Sequence, residues 1–319
     1  MMKDTGALAG MNRAFFREAR GARIVVYHGV CHKDHTRYNN IFLRLKTFEE
    51  HLRYYKKYFH AVTLDEYYER RFSEDRFNVC ISFDDGYENN YNYVLPLLEK
   101  YEIPAVFFVT AIRQAGYDIL WNDFMGMLQR LGPRRLVYQN EVFFKGKLHH
   151  YFSGQDGQRL VERLRNMGFA EKAKLMEALY PEVRFREGRV GEEYWRQMTS
   201  EQIRALSRSR WVTIGSHGFY HNDLGRIPIG DVEEELAVSK RYLETWTGKP
   251  VRSIAFPYGT YSPSAVTAAL KAGYEQILAL DYHFPEDHAN PAMRERFIVN
   301  PYISTDNQML ATIKRTYAF

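Results

Sequence analysis

The run Pro104-Ala105-Val106-Phe107-Phe108-Val109-Thr110 constrains this chain more than any other stretch. Between Ala105 and Val109 no polar side chain is available to face water, so both faces of the strand it forms must be covered. A second such run, Val79-Cys80-Ile81-Ser82-Phe83, lies one helix upstream. Strands of this kind belong to sheets flanked by helices, and the rest of the chain has the matching rhythm. Strand patterns at Arg23–Tyr27, Val62–Leu64, Trp211–Gly215, Arg252–Phe256, Gln276–Ala279 and Phe297–Val299 alternate with helical periodicity. The helices are expected at Phe48–Tyr58, Glu66–Arg71, Asn89–Tyr101, Asp231–Trp246, Ser262–Ala272 and Asn307–Tyr317. Asp65 is placed to cap the second of these, Pro96 to kink the third, and Thr199-Ser200-Glu201-Gln202 reads as a capping box. Six or more strands separated by helices predict a parallel sheet or barrel, with catalytic groups at the C-terminal strand ends.

From about 112 to 198 the alternation stops. Helices are expected at Asp123–Leu131, Gly157–Met167 and Ala170–Leu179, with a hairpin around Val137–Phe144. This stretch reads as an inserted lid on one main domain, 23–319, preceded by an N-terminal segment, 1–22. Lys and Arg are dispersed, for a net charge of +5, without the basic arm that nucleic acid would require. Two cysteines, Cys31 and Cys80, make no disulfide framework and suit a reducing compartment. No apolar run approaches the roughly 18 residues of a membrane span. Met1–Ala22 is interrupted by Arg13, Arg17, Glu18 and Arg20, so it is not read as a signal peptide, and a cytoplasmic location is expected. Met11–Arg20 reads as a packed first helix, or else as a basic amphipathic one in weak contact with a membrane surface. The oligomeric state is left open.

Three short motifs fall at strand ends. Phe83-Asp84-Asp85-Gly86 sets two carboxylates at a turn, where one can reach a metal and the other a water beside it. Ser216-His217-Gly218-Phe219-Tyr220-His221 places two histidines four residues apart, able to converge on one metal if the backbone makes a single turn. With 11 histidines in the chain, chance alone supplies such spacing about a third of the time, so the motif needs its context. Pro257-Tyr258-Gly259 is a tight turn that can aim a backbone N–H into a cleft. Each is weak alone; all three after predicted strands are not.

Together these motifs resemble the polysaccharide deacetylase family, the NodB-homology domains of carbohydrate esterase family 4. The resemblance covers roughly 23–110 and 199–315. It implies a distorted (β/α) barrel of about seven strands and an N-acetylated sugar or glycan as substrate. It also implies a divalent metal, most often Zn2+, with Co2+, Ni2+ or Mn2+ as alternatives. Carried onto this sequence, Asp84 is the catalytic base, Asp85, His217 and His221 are the metal ligands, and the Tyr258 N–H is a second oxyanion donor. Pro257, Tyr258 and Trp121 are the expected substrate contacts; Trp121 and Asp123, at the start of the inserted stretch, read equally as cleft lining or as core packing plus a helix cap. Two family features are missing: Ala255-Phe256 stand where an arginine usually precedes Pro257, and no Leu-x-x-His follows near the C-terminus. A permuted branch, which includes the poly-N-acetylglucosamine de-N-acetylases, carries that histidine motif at the start of the domain. Val25-Val26-Tyr27-His28-Gly29-Val30 is similar to it, as is the Phe48–Leu52 run to the segment that follows, which makes His28 the expected general acid. His283 and His288 are the reserve candidates for that role. A second metal at His28, Cys31, His32 and His35 is not expected. A deformylase-like or allantoinase-like amide hydrolase, or a carbohydrate-binding protein without activity, would share the scaffold.

Overall fold

The two apolar runs become adjacent central strands. In the computed structural model, which describes residues 11–317 with side chains from 14 onward, they are β3 (Phe77–Phe83) and β4 (Ala105–Val109), paired in parallel and buried at every position. Around them the sheet comprises β1 (Ala22–Tyr27), β2 (Phe59–Ala61), β5 (Val212–Ser216), β6 (Ser253–Ala255), β7 (Gln276–Leu278), β8 (Met293–Arg294) and β9 (Phe297–Ile298). The order is β8-β7-β6-β5-β4-β3-β1-β9, with β2 beside the first half of β3, and every ladder is parallel.

The two ends of that order are consecutive in sequence. Residues 293–299 step from one edge of the sheet to the other. The Arg294 carbonyl accepts from the Ala279 N–H on the β7 side, and the Val299 N–H donates to the Val26 carbonyl on the β1 side. The sheet therefore curls into a distorted barrel. Alternation along each strand divides its side chains. Val79, Ile81 and Phe83 of β3 pack outward under the helices, while Cys80 joins Ile24, Val106, Phe108, Ala255 and Leu278 inside the barrel. Each large side chain so buried contributes about 1.5–3 kcal/mol, so the strands are held from both faces.

Most helices lie where the periodicity places them, and Thr199 forms its capping box with Gln202. Pro96 is absorbed by a π-type turn at Asn90–Val94 that precedes the regular helix Leu95–Tyr101. One segment is read differently. The strand expected at Val62–Leu64 is Phe59–Ala61, and the cap of the next helix is Thr63, not Asp65. The Thr63 hydroxyl accepts from the Glu66 N–H while the Glu66 carboxylate accepts from the Thr63 N–H, and this reciprocal box starts the helix at Leu64. That helix plugs the lower end of the barrel through Val62 and Leu64. The expected helix Gly157–Met167 shortens to Leu160–Arg165. The first helix, Met11–Glu18, buries Phe16 against Tyr54 and Tyr58. No helix among the described residues is long and apolar enough to cross a membrane.

Between β4 and β5 the chain builds its own apolar cluster. Trp121, Phe124 and Leu128 of the helix Trp121–Leu131 pack with Phe143, Leu175 and Phe185. A three-stranded antiparallel ribbon, Arg135–Tyr138, Glu141–Lys145 and Tyr151–Ser153, accompanies it. The cluster stands at the C-terminal end of the barrel, where Tyr258 packs against its edge.

Candidate metal centre and catalytic carboxylate

Alternation puts Ser82 and Asp84 on the same inner face as Cys80, so the Asp84 side chain enters the barrel mouth. The next residue would point outward if the strand continued. Instead Asp85 has φ 75° and Gly86 φ 84°, and the chain reverses. A Cβ on Gly86 would lie 2.8 Å from Val109 Cγ1, so both the left-handed backbone and the close approach require glycine here. The turn brings Asp85 Oδ1 to 3.3 Å from His217 Nε2 and 3.0 Å from His221 Nε2.

His217 follows β5 directly. Its Nδ1 lies 2.8 Å from the Ala255 carbonyl, which can only accept, so Nδ1 carries the proton and Nε2 keeps its lone pair for a metal. The single turn to His221 is clamped from behind by Glu235, buried in the helix Ile229–Thr247. Its carboxylate accepts from the N–H groups of Phe219 and Tyr220 and from the Asn222 amide. His221 itself is at φ 57° and Tyr258 at φ 61°. Three non-glycine residues of one site thus hold left-handed backbone, strain that the surrounding contacts sustain. The Tyr258 hydroxyl lies 3.1 Å from His221 Nδ1, and the Trp121 indole N–H donates to the His221 carbonyl at 2.8 Å.

One ligand atom from each of Asp85, His217 and His221 falls within 4.8 Å of the other two, and all three residues are buried. Ligand atoms about 2.0–2.2 Å from a tetrahedral Zn2+ stand at comparable separations, and two imidazoles with one carboxylate are a common zinc donor set. The residues fit a divalent cation. Burial pushes the Asp85 carboxyl up, but His221 and then His217 beside it hold it well below the usual carboxylate range.

Asp84 stands beside this group rather than in it, its Oδ2 4.0 Å from His217 Nε2. Both its oxygens are taken by Arg296, whose Nη1 and Nη2 donate at 2.7 and 2.9 Å. The Arg296 side chain is wholly buried, stacked over Phe108 and in contact with Ser82 Oγ at 3.4 Å. Burial alone would raise the Asp84 pKa; the Arg296 guanidinium and then His217 outweigh it and leave the carboxyl lowered. Sequence reasoning missed Arg296. It comes from the crossing between β8 and β9, 212 residues from Asp84. No local pattern in Arg294-Glu295-Arg296 marks it.

His28 ends β1 at the same mouth, half-buried, with its carbonyl accepting from the Asn90 amide. Burial lowers its pKa, opposed by Asp85 and Asp84. The other histidines go elsewhere. His283 stacks on Tyr261 and His288 packs edge-on to Tyr282; His35 bonds Arg44 and the Pro301 carbonyl, and His32 packs on Tyr93. Of the expected substrate contacts, Trp121 is 1% exposed and lies under the His221 carbonyl, and Pro257 is buried in its turn. Tyr258 remains half-buried at the site. Behind the site, the Tyr87 hydroxyl sits against Asp85 and donates to Asp123 at 3.0 Å. Burial, and then the Asp85 charge, push the Asp123 carboxyl well above its ordinary range.

A family model described as polysaccharide deacetylase matches residues 73–136 and 184–277, skipping the antiparallel ribbon and the helices after it. The chain belongs to the polysaccharide deacetylase family. Its fold is similar to the Streptococcus pyogenes deacetylase PplD solved in complex with acetate, at TM-score 0.58 and 16% identity over 92% of this chain and 97% of that one. The de-N-acetylase from Aggregatibacter actinomycetemcomitans aligns at TM-score 0.57 and 17% identity, over 92% and 98%. IcaB from Ammonifex degensii aligns at TM-score 0.55 and 17% identity, over 93% and 98%. No curated protein sequence matches the chain.

Proposed function

We propose that this protein is a metal-dependent de-N-acetylase acting on an acetamido sugar or glycan. The observation that carries the reading is the pairing of two unlike carboxylates on adjacent residues. Asp85 faces two imidazoles, while Asp84 is held by a buried guanidinium a few ångströms away. One is built to bind a cation, the other to stay ionised beside it.

A divalent metal held by Asp85, His217 and His221, Zn2+ in our reading, supplies Lewis acidity to the amide carbonyl and draws the pKa of an attacking water towards neutrality. Asp84 accepts that water's proton, and its bidentate bond to Arg296 keeps it ionised and fixes its plane. The His217 bond to Ala255 and the Trp121 and Tyr258 contacts with His221 orient the two rings before substrate arrives. The Tyr258 N–H lies on a turn suited to donate to the carbonyl oxygen as charge builds there. His28 protonates the departing amine, since an amide anion is too poor a leaving group to expel unaided.

Acetate release from N-acetylglucosamine oligomers tests the reading. It should be abolished by a chelator and restored by Zn2+ or Co2+. Full activity in protein shown to be metal-free would refute the metal role, and a loaded enzyme inert on acetamido sugars would refute the substrate class.

A further inference from the structure

Arginines in the inserted segment are mostly paired. Arg163 lies between Glu141 and Asp156, Arg186 forks onto Asp118, and Arg196 reaches Glu88 and Glu192. Arg37, Arg44 and Arg130 depart from this: among the described residues none of the three has a carboxylate partner within ion-pair distance. They come from separate places, the loop after β1, the residue before the helix Leu45–Tyr58, and the last turn of the helix Trp121–Leu131. Yet all three line one concavity, in which Asp34 is the sole carboxylate. His35 lies beside them, with Arg44 Nε donating to its Nδ1 at 3.2 Å and its Nε2 3.2 Å from the Pro301 carbonyl.

This concavity shares Tyr38, Arg130 and His149 with a cavity of about 710 Å³ that reaches Asn122 and Asp123. There three polar atoms are left over: Asn122 Oδ1, Asp123 Oδ2 and His150 Nδ1 are buried without a hydrogen-bond partner among the described residues, and Asp123 is only 7% exposed. Buried polar atoms of this kind are costly unless something completes them. Through Oδ1, Asp123 is joined to the Tyr87 hydroxyl, which sits against the metal-ligand candidate Asp85. Arg130 lies seven residues further along the same helix, roughly 10 Å away at 1.5 Å per residue, farther than one pyranose ring reaches.

We infer that this groove binds an oxyanion, a phosphate or carboxylate group, carried by the acetamido glycan beyond the sugar whose acetamide is cleaved. Guanidinium forks match both oxyanions bidentately, and the unpaired atoms of Asn122 and Asp123 face the sugar hydroxyls in between. The link to a glycan rests on the de-N-acetylase reading; the anion site does not.

Two measurements on the metal-loaded full chain separate these. The first is kcat/KM for acetate release from an N-acetylglucosamine oligomer in three forms: neutral, with a terminal phosphate, and with a terminal uronate. The wild type should prefer a charged form by at least about tenfold, and Arg37→Gln/Arg130→Gln should erase that ratio through KM. Whichever charged oligomer is preferred identifies the oxyanion. The second is calorimetric titration with inorganic pyrophosphate, which the double variant, and independently Arg44→Gln, should weaken, as should added salt. Equal rates on all three oligomers, or pyrophosphate binding indifferent to the arginines, would overturn the inference. Arginine-dependent pyrophosphate binding by a protein inert on every oligomer would overturn the de-N-acetylase reading and uphold the anion site.

Discussion

Replacing Arg296 by methionine would remove both bonds to Asp84 while keeping an unbranched chain over Phe108. Two unit charges about 4 Å apart interact by about 4 kcal/mol at an effective dielectric constant of 20. Removing one partner of a buried pair leaves the other uncompensated and costs about 3–5 kcal/mol of stability. Asp84 can escape that cost only by taking up a proton. Its pKa is lowered in the native protein because Arg296 and His217 outweigh burial. That lowering contributes stability above the unfolded carboxyl's pKa and loses it as pH falls through the folded value. Without the guanidinium burial dominates and the folded pKa rises, so the base is protonated over part of the range where it was ionised. Acetate release at neutral pH should fall by at least about 10²-fold, recover in part as pH rises, and show its acidic limb displaced upward. Bound metal should stay stoichiometric. Urea unfolding at neutral pH should show Arg296→Met less stable than the Arg296→Met/Asp84→Asn double variant, in which no charge is left buried. An acidic limb that does not move, together with a double variant no more stable than the single one, would refute the reasoning.

Separate roles for the two aspartates predict that Asp84→Asn retains one bound metal with most turnover lost, whereas Asp85→Asn loses the metal; metal analysis beside acetate release checks both. For His28→Ala, hydrolysis of an N-acetyl sugar should drop by at least about 10²-fold and of an activated aryl acetate by much less, because the aryloxide leaves without a proton. Equal losses would make His28 an orienting group. His51 is buried behind Tyr27, and burial lowers its pKa to about 3. The unfolded chain then binds a proton near pH 6.5 that the folded one refuses, so stability falls as pH drops through that window. By pH 5 this amounts to about 2 kcal/mol, visible as the difference in urea unfolding between wild type and His51→Gln. The same pH dependence in both proteins would count against it.

Much of this protein is decided within a few residues of chain. The apolar run at β4 requires a covered parallel sheet, because it has no polar side chain to face water, and β3 beside it is buried along its whole length. The Asp84-Asp85-Gly86 turn and the four-residue spacing of His217 and His221 are likewise local, since one backbone reversal brings each pair to its place. Local signals fail where two readings of a segment have similar propensity. Val62–Leu64 has strand character, but the Thr63–Glu66 box and the barrel floor make it a helix start. They fail more deeply where a role is filled across the fold. Arg296 meets Asp84 because the sheet curls until the chain crosses between its edges, and no residue near Arg296 in sequence records that meeting. Trp121 reads equally well as a cleft wall or as core; the packing of the segment between β4 and β5 buries it under His221. Arg37, Arg44 and Arg130 look like dispersed surface charge until three elements set them around one cavity. Periodicity and turns report which faces a segment must bury, whereas charge pairing depends on which segments the curled sheet brings together.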